Sequence, residues 1–429
     1  MTINKIKYRL GTILFIVFLS INSFSQLHIH SPYSQFGIGQ LSLSNQVYYH
    51  SMGGIGYAIS HPSYINTANP ASNAALLPSS FIFEVGIESN STILKTKSLS
   101  ESTNYSSLNY FLFGFSISQR WKTSFGVLPF SKVGYSVSNT VSIENLGKTK
   151  HFYEGYGGIN QCYWGNAYKI SDNFSIGISA HYLFGTITKL RNTSFPDSLF
   201  VLTSQIDETK TISDFYFDYG IQYSVKLNNN YKLNFGLTVS NSTKINAKSN
   251  YLSKTFLYNS DQNIEYLTDT LDYSPTKKGT FLLPAKIGFG VALEKPRKWL
   301  VEADFDWQNW KKFKSFNVSD SLKNSYKIAI GGNFTPNYTS ISSYWKRVNY
   351  RFGFRFLRSY LELRENNINE IGFSFGIGLP LRKSNTTLNF GFEVGNRGTI
   401  NDELIQENFV NFKFGISLHN IWFFKTKYH

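Results

Sequence analysis

The chain has 429 residues, a formal charge of +15 and aromatic side chains at 17% of positions, against a mean hydropathy of only -0.22. A single cysteine, Cys162, excludes an internal disulfide framework and any cysteine cage for a metal, so a small strand residue is the better expectation than a reactive thiol. No stretch after residue 25 approaches the roughly 18 consecutive apolar residues that a membrane-crossing helix requires.

At the N-terminus, Lys5, Lys7 and Arg9 precede the apolar run LGTILFIVFLS, and SINSFSQ ends in small residues near Ser25. This is the pattern of a secretory signal peptide over 1–25, because the run is too short to span a bilayer and polar sequence follows it. No cysteine sits at the cleavage point, which disfavours a lipid anchor. Setting the three leader cations aside lowers the charge from +15 to +12. An exported chain with that balance meets anionic lipid, not nucleic acid, and its lysines form no long block.

Residues 26–77 are rich in Gly, Ser, Asn and Pro and show no sustained period of 2 or 3.6 residues, so a loop-rich segment is expected there. From residue 78 the chain turns to period-two stretches, each read as a strand because successive side chains of a strand point to opposite faces. They fall at about 78–88, 107–118, 121–130, 157–170, 173–187, 212–226 and 230–242, then 281–293, 299–310, 325–335, 348–360, 368–379, 387–396 and 405–419, fourteen in all. Short turns (SDN, LNNN, EKPRK) alternate with long polar excursions at 131–156, 188–211 and 243–280. Short links at one end and long ones at the other are the mark of an outer-membrane barrel, with the short turns in the periplasm.

Length separates a lipid face from a soluble core. Soluble strands run to roughly 5 or 6 residues and tilted membrane strands to about 9 to 11, which most of these stretches reach. In SDFYFDYGIQYSV (213–225), Phe215, Phe217, Tyr219, Ile221, Tyr223 and Val225 share one face and Asp214 and Asp218 the other. Uncharged rows recur at Tyr231 to Val239, Ile287 to Leu293, Trp299 to Trp307 and Phe412 to Leu418, with charges on the opposite faces. A Lys or Arg on the lipid face costs about 2 to 4 kcal/mol at the midplane, so those rows are expected to touch acyl chains. Trp299, Trp307, Trp310 and Trp422 stand near strand ends, where aromatic girdles belong. The stretch 157–170 mixes polar and apolar residues on both faces and leaves Cys162 unoriented, and 245–257 reads either as an extra strand or as a folded loop.

The fold class expected is all-β: a transmembrane antiparallel barrel of about fourteen strands over 78–429, preceded by an N-terminal plug or hatch over 26–77. A barrel this wide cannot be filled by its own side chains. The run SMGGIGYA (51–58) followed by NPAS (69–72) resembles the N-terminal hatch of FadL-type outer-membrane transporters of long-chain fatty acids and hydrocarbons, which are fourteen-stranded barrels with an Asn-Pro-Ala motif in the hatch. SPYSQFGIG (31–39), LFGFSISQRWKTSFGVLPFS (112–131), GNRGTINDELIQENF and NIWFFKTKY are closer still to FadL-like barrels without an assigned role. The resemblance implies that Asn69, Pro70 and Ala71, with Gly53 and Gly54, hold or gate the hatch; an ordinary turn into the barrel is the other reading of Asn-Pro-Ala.

Charges expected in the lumen include Asp214, Asp218, Lys232, Lys286, Glu302, Asp304, Asp306, Arg351 and Arg355, with Glu84, Glu88, Lys327, Glu393 and Lys413 beside them. Mixed signs at strand spacing favour a salt-bridge network over an ion path. His181 shares a face with Ser175 and Ser179, too weak a constellation to expect an enzyme. His30, His50 and His61 lack metal-site spacing, and no phosphate-binding glycine loop opens a helix, so neither metal nor cofactor is expected. The expected function is passive uptake or lateral delivery of a fatty-acid-like molecule across the outer membrane of a Gram-negative cell. The alternative is a non-transporting barrel that serves as subunit or shuttle of a secretion or assembly complex. The expected partners are outer-membrane lipid and lipopolysaccharide, with either a hydrophobic ligand or the proteins of such a complex.

Overall fold

The computed structural model describes residues 31–43, 46–144, 147–197, 201–228, 230–259, 264–382 and 384–421. The leader expected at 1–25 and Trp422 of the expected girdle lie outside them. The described chain opens with β1 (Gln40–Leu41) and α1 (Val47–His50). The wall follows as β2 (Ser80–Lys95), β3 (Ser100–Ser116), β4 (Trp121–Ile143), β5 (Gly147–Lys169), β6 (Phe174–Ser194) and β7 (Thr203–Lys226). It continues as β8 (Lys232–Ser240), β9 (Thr243–Asn259), β10 (Ile264–Leu283), β11 (Lys286–Lys295) and β12 (Trp299–Gln308). After the two-residue β13 (Lys314–Ser315) and β14 (Val318–Ser319) come β15 (Ser325–Phe334), β16 (Asn349–Leu363), β17 (Asn366–Pro380), β18 (Thr387–Arg397) and β19 (Gln406–Ile421).

Each wall strand pairs antiparallel with its neighbours, and β19 pairs with β2 from Gln406↔Lys95 to Ile421↔Ser80, so the sheet closes. The barrel has fourteen strand positions, as the sequence implies. β8 and β9 occupy one position in succession, because β7 pairs with β8 through Asp218–Lys226 and with β9 through Thr203–Ile212. β10 and β11 share the next position, on either side of Pro284. Residues 245–257 therefore add no strand.

The three long polar excursions are not loops. The β4–β5 ladder runs out to Ile143↔Gly147, the β6–β7 ladder to Thr193↔Ser204 and the β9–β10 ladder to Asn259↔Ile264. Beyond the lipid both faces of a hairpin meet water, so polarity stops alternating while the backbone pairing carries on.

Outward and inward faces follow the pleat. Phe215, Phe217, Tyr219, Ile221 and Tyr223 are exposed on the outside, while Tyr216 and Gln222 are buried inside. Cys162 lies outward beside the exposed Trp164. The mixed faces of 157–170 lie in its composition: odd residues point inward throughout, with Gln161 buried between Ile159 and Tyr163, and even residues point outward, with Asn160 and Asn166 beside Trp164 and Tyr168. The register shift between Pro129/Asn160 and Ser131/Ile159 belongs to β4, where Phe130 is an extra residue and the inward set changes from even to odd numbers. Trp310 departs from the girdle expectation. It is fully buried inside the barrel, 4.4 Å from the ring of Tyr360, because the connection after β12 turns inward.

The β3–β4 join is incomplete. β3 pairs with β4 only through Phe111–Ser116 and Lys122–Val127, although both strands run on well past that point. Part of the vacant edge of β4 is taken from inside the barrel: Gln40 and Leu41 of β1 pair with Lys132 and Ser131, Ser42 N–H donates to Phe130 O (2.9 Å), and Ser31 N–H donates to Gly134 O (2.8 Å).

Candidate functional site

The residues ahead of the wall lie against the inward faces of strands all around it. A side chain at Gly353 of β16 would meet the backbone of Met52, one at Gly236 of β8 the backbone of Tyr57, and one at Gly177 of β6 that of Ala71. Three widely separated strands thus let this inner segment approach to backbone contact because they lack a Cβ there. Gly53 and Gly54 have φ of 76° and 72°, a left-handed pair that turns the chain after α1. Gly53 N–H donates to Ser374 Oγ of β17 at 2.7 Å.

The Asn-Pro-Ala stretch is bound as a turn. Asn69 Oδ1 accepts from Ala71 N–H (3.0 Å), while its Nδ2 donates to Tyr57 O (2.7 Å) and Ile221 O (3.3 Å). Pro70 and Ala71 are buried against β6 and β7. Asn66 and Asn73 do as much: Asn66 Nδ2 donates to Gly56 O (2.6 Å), and Asn73 both accepts from Asn66 N–H and donates to Asn66 O at 2.9 Å. Nothing in the local sequence distinguishes these two asparagines from loop residues.

Three carboxylates of β12 grip the same segment. Glu302 Oε1 accepts from Ala58 N–H (2.6 Å), and Asp304 Oδ2 from Gly56 and Tyr57 N–H (2.7 and 3.2 Å). Asp306 takes the Tyr57 hydroxyl at 3.0 Å and the Lys327 ammonium at 3.1 Å. Successive backbone N–H groups make an anion-binding concavity, here filled by side chains of the wall. Across the lumen, Glu84 Oε1 accepts from Ile65 N–H at 2.7 Å. Arg351 lies over the Tyr48 ring, its guanidinium 4.5 Å from the centroid, and bonds Asn349 and Asn389.

A second set of charges climbs the inner faces of β16 to β19. Arg355 bridges Glu370 (2.5 Å) and Glu393 (2.6 Å), and Arg397 bridges Glu370 (2.6 Å) and Glu407 (2.9 Å). Glu88 pairs with Lys132, and also with Lys413 at 3.5 Å. Single buried charges are costly, and this network satisfies them mutually. It reaches the inner segment at three points. His50 Nε2 lies 3.5 Å from Glu393, Ser31 Oγ donates to Glu407 (2.6 Å), and Arg397 donates to Gln40 Oε1 (2.9 Å). Burial, reinforced by Lys413, lowers the pKa of His50 to about 3.

The remaining expected charges are more dispersed. Lys232 pairs with Glu294 at 3.5 Å at the short-turn end, and Lys286 stands over the Tyr57 ring at 5.8 Å. Asp218 meets His181 at 3.1 Å, whose other ring nitrogen lies 3.0 Å from Gln161. Both nitrogens are thus engaged away from Ser175 and Ser179. Asp214 sits where β7 changes partner, accepting from the N–H of Phe215 and Asn246.

Above the grip of β12 lies a cavity of about 240 Å³. Its upper lining is apolar and aromatic, with Leu128, Phe130, Tyr216, Leu283, Tyr360 and Leu361; its floor carries Tyr57, Asp218, Lys286, Asp306 and Lys327. Leu41 and Leu43 form the side toward the incomplete β3–β4 join. The site is therefore an amphipathic chamber whose lateral wall is β1.

A family model described as BamG matches residues 3–429. The chain belongs to the BamG family. No curated protein matches it. Among solved structures, this BamG-family chain is similar to a Pseudomonas aeruginosa FadL homologue (TM-score 0.60, 11% identity, 90% of this chain and 100% of that one). It is also similar to the Pseudomonas putida toluene transporter TodX (0.58, 12%, 91% and 100%) and the Ralstonia pickettii toluene transporter TbuX (0.55, 15%, 86% and 97%). At these identities the likeness is one of fold: a FadL-type outer-membrane barrel.

Proposed function

We propose that this barrel delivers a hydrophobic or amphiphilic small molecule from its lumen sideways into the membrane of a Gram-negative cell. The observation that carries the reading is the chamber of about 240 Å³ bounded by β1, which pairs from inside with β4 where the β3–β4 ladder has ended. An aliphatic or aromatic body fits the lining of Leu128, Phe130 and Leu361, and a carboxylate or hydroxyl fits the floor at Lys286 and Lys327. Withdrawing β1 would join the chamber to the acyl layer without opening an aqueous pore, since the segment from Val47 to Ala74 stays gripped below. The toluene transporters with a similar fold lend support at the level of fold alone.

The test is to lock the stopper. A Cys162→Ser background carrying Leu41→Cys and Ser131→Cys, which are Cα partners, is oxidised and reconstituted into vesicles. Uptake of a labelled fatty acid or toluene should fall at least tenfold on oxidation and return on reduction. Equal uptake by the locked and reduced forms would reject lateral delivery.

A second reading, a barrel that acts as subunit or shuttle of a secretion or assembly complex, is favoured by the density of polar bolts between wall and inner segment. Carboxylates and asparagines hold that segment at many points, more than a labile plug requires. Native mass spectrometry of gently extracted material separates the two: a stoichiometric protein complex with an empty chamber supports the subunit, and a bound lipid-like molecule supports delivery.

A further inference from the structure

Above the apolar band, the outer surface of β7, β9, β10 and β13 carries a group of lysines; Asp207 of β7 shares that face, opposite Leu252 and two pairs of that face beyond Lys248. Lys248 stands directly across from Lys278, and Leu282 is flanked in register by Lys244 on one side and Lys314 on the other. All four lysines are exposed and face outward, since the alternate residues Ile245, Ala247 and Phe281 are buried inside. None of the four makes an ion pair among the described residues. Like charges directly opposed across a ladder are destabilising, and no ion pair among the described residues offsets them here. Of the carboxylates on β7, Asp214 accepts backbone N–H groups, Glu208 pairs with Lys210, and Asp207, on the outer face, accepts from Gln205 Nε2 at 2.6 Å.

The neighbours on this face are hydroxyls and amides. Thr186 and Thr211 lie 3.3 Å apart, Thr188 and Thr209 3.4 Å, and Asn246 continues the row. Immediately toward the short-turn end the same outer face becomes a rim of Tyr219, Val239, Ile287, Trp307 and Tyr326, joined residue by residue in register. A cationic, hydroxyl-lined shelf directly above an aliphatic and aromatic rim matches one occupant on both counts: phosphates and sugars at the level of the lysines, acyl chains at the level of the rim.

We propose that Lys244, Lys248, Lys278 and Lys314 form a docking shelf for the phosphorylated headgroup of a glycolipid in the outer leaflet, of the lipopolysaccharide type. This does not depend on whether the lumen conducts anything. The shelf would fix the angular position of strands β9 to β13 against the leaflet, on a sector of the wall away from the β3–β4 join.

The experiment uses the full chain purified in detergent, titrated with phosphorylated lipid A, with the same lipid after phosphate removal, and with inorganic phosphate, bound copies being counted by native mass spectrometry. Phosphorylated lipid A should bind at least tenfold more tightly than the dephosphorylated form, and the K244Q/K248Q/K278Q/K314Q variant should lose about two orders of magnitude in affinity. A control variant, K148Q/K150Q, changes exposed lysines of the β4–β5 hairpin and should bind as the parent does. Heat-modifiable gel migration confirms that both variants keep a closed barrel. Equal binding of both lipids, equal loss in the control variant, or inorganic phosphate competing as well as the lipid would overturn the proposal.

Discussion

The inner segment is held in two different ways along its length. From Val47 to Ala74 it is bolted by side chains of the wall to its own backbone, with Asp304 and Glu302 on the N–H groups of 56–58, Glu84 on Ile65 and Ser374 on Gly53. From Ser31 to Gly39 wall side chains also hold its backbone, with Tyr360 on Gly39 O, Lys189 on Gln35 O and Ser131 on Ile38 O, and Tyr33 and Ile38 are buried in the core; at Gln40 to Ser42 it is held by a short strand addition to β4 and by the end of a salt-bridge network. The first kind of attachment buries groups that have no other partner, so releasing it strands them in a dry interior. At Gln40 to Ser42 the second exchanges backbone bonds at an edge that other strands or water can also satisfy. In the lateral route proposed above, the stretch from Val47 to Ala74 is the floor and the short strand addition at Gln40 to Ser42 is the part that would move.

That distinction can be broken or sharpened by substitution. The largest effect is expected at Gly353→Val, which would drive β16 into the backbone of Met52 and Gly53; overpacking of this kind costs about 3 kcal/mol. Urea unfolding in detergent should show it as a lowered midpoint, and an unchanged midpoint would mean the floor yields easily. Next comes Asp304→Ala, which leaves the N–H groups of Gly56 and Tyr57 buried without acceptors at about 2 kcal/mol. The same assay reads it, with faster proteolysis confined to the inner segment if only the floor loosens.

Acidity acts on the floor through His50. Its seated pKa of about 3 lies below the unfolded value of 6.5, so it stays neutral in place and gains a proton when released. The seated state is at full strength above pH 6.5 and weakens as pH falls from there toward 3, by up to about 1.4 kcal/mol per unit. Stability measured from pH 7.5 to 5 should therefore decline, and His50→Gln should flatten part of the slope. The smallest effect is expected at Ser31→Ala, which removes one bond to Glu407 worth roughly 1 kcal/mol. Hydrogen exchange should rise over 31–42 and stay unchanged over 47–58; a rise in both would erase the contrast between the halves.

The wall was legible from the sequence because a bilayer imposes one apolar face on every strand. Runs such as Phe215 to Tyr223 and Ile287 to Leu293 carry that signature through the membrane. It faded where lipid ends, which is why ESTNYSS in β3 and the hairpin ends of β4 to β10 read as loops. The extra residue at Phe130 swapped the faces of β4. The orientation of 157–170 was hidden because each of its faces mixes polar and apolar residues, such as Gln161 with Tyr163 inside and Asn166 with Trp164 outside. Parity is what led to the expectation of lumenal charges, and it carries no sign of their use, since Asp304 and Glu302 bind main-chain N–H groups that leave no mark in the side-chain pattern. Inward glycines at 177, 236 and 353 were the available signal of close approach, and glycine is too common in strands for it to stand out. The opposition of Lys248 and Lys278 depends on the β9–β10 register, which includes several bulges.

The pairing of β1 with β4 has a mechanical corollary. Extending the β3–β4 ladder beyond Phe111↔Val127 would bring residues around Ser106 to the stretch of β4 that Gln40 and Leu41 now occupy. Two claimants for one strand edge make a zipper with a blocked tooth: either the barrel staves close over that stretch or the inner thread sits between them. Whatever squeezes the staves together expels the thread, and whatever secures the thread keeps the barrel ajar.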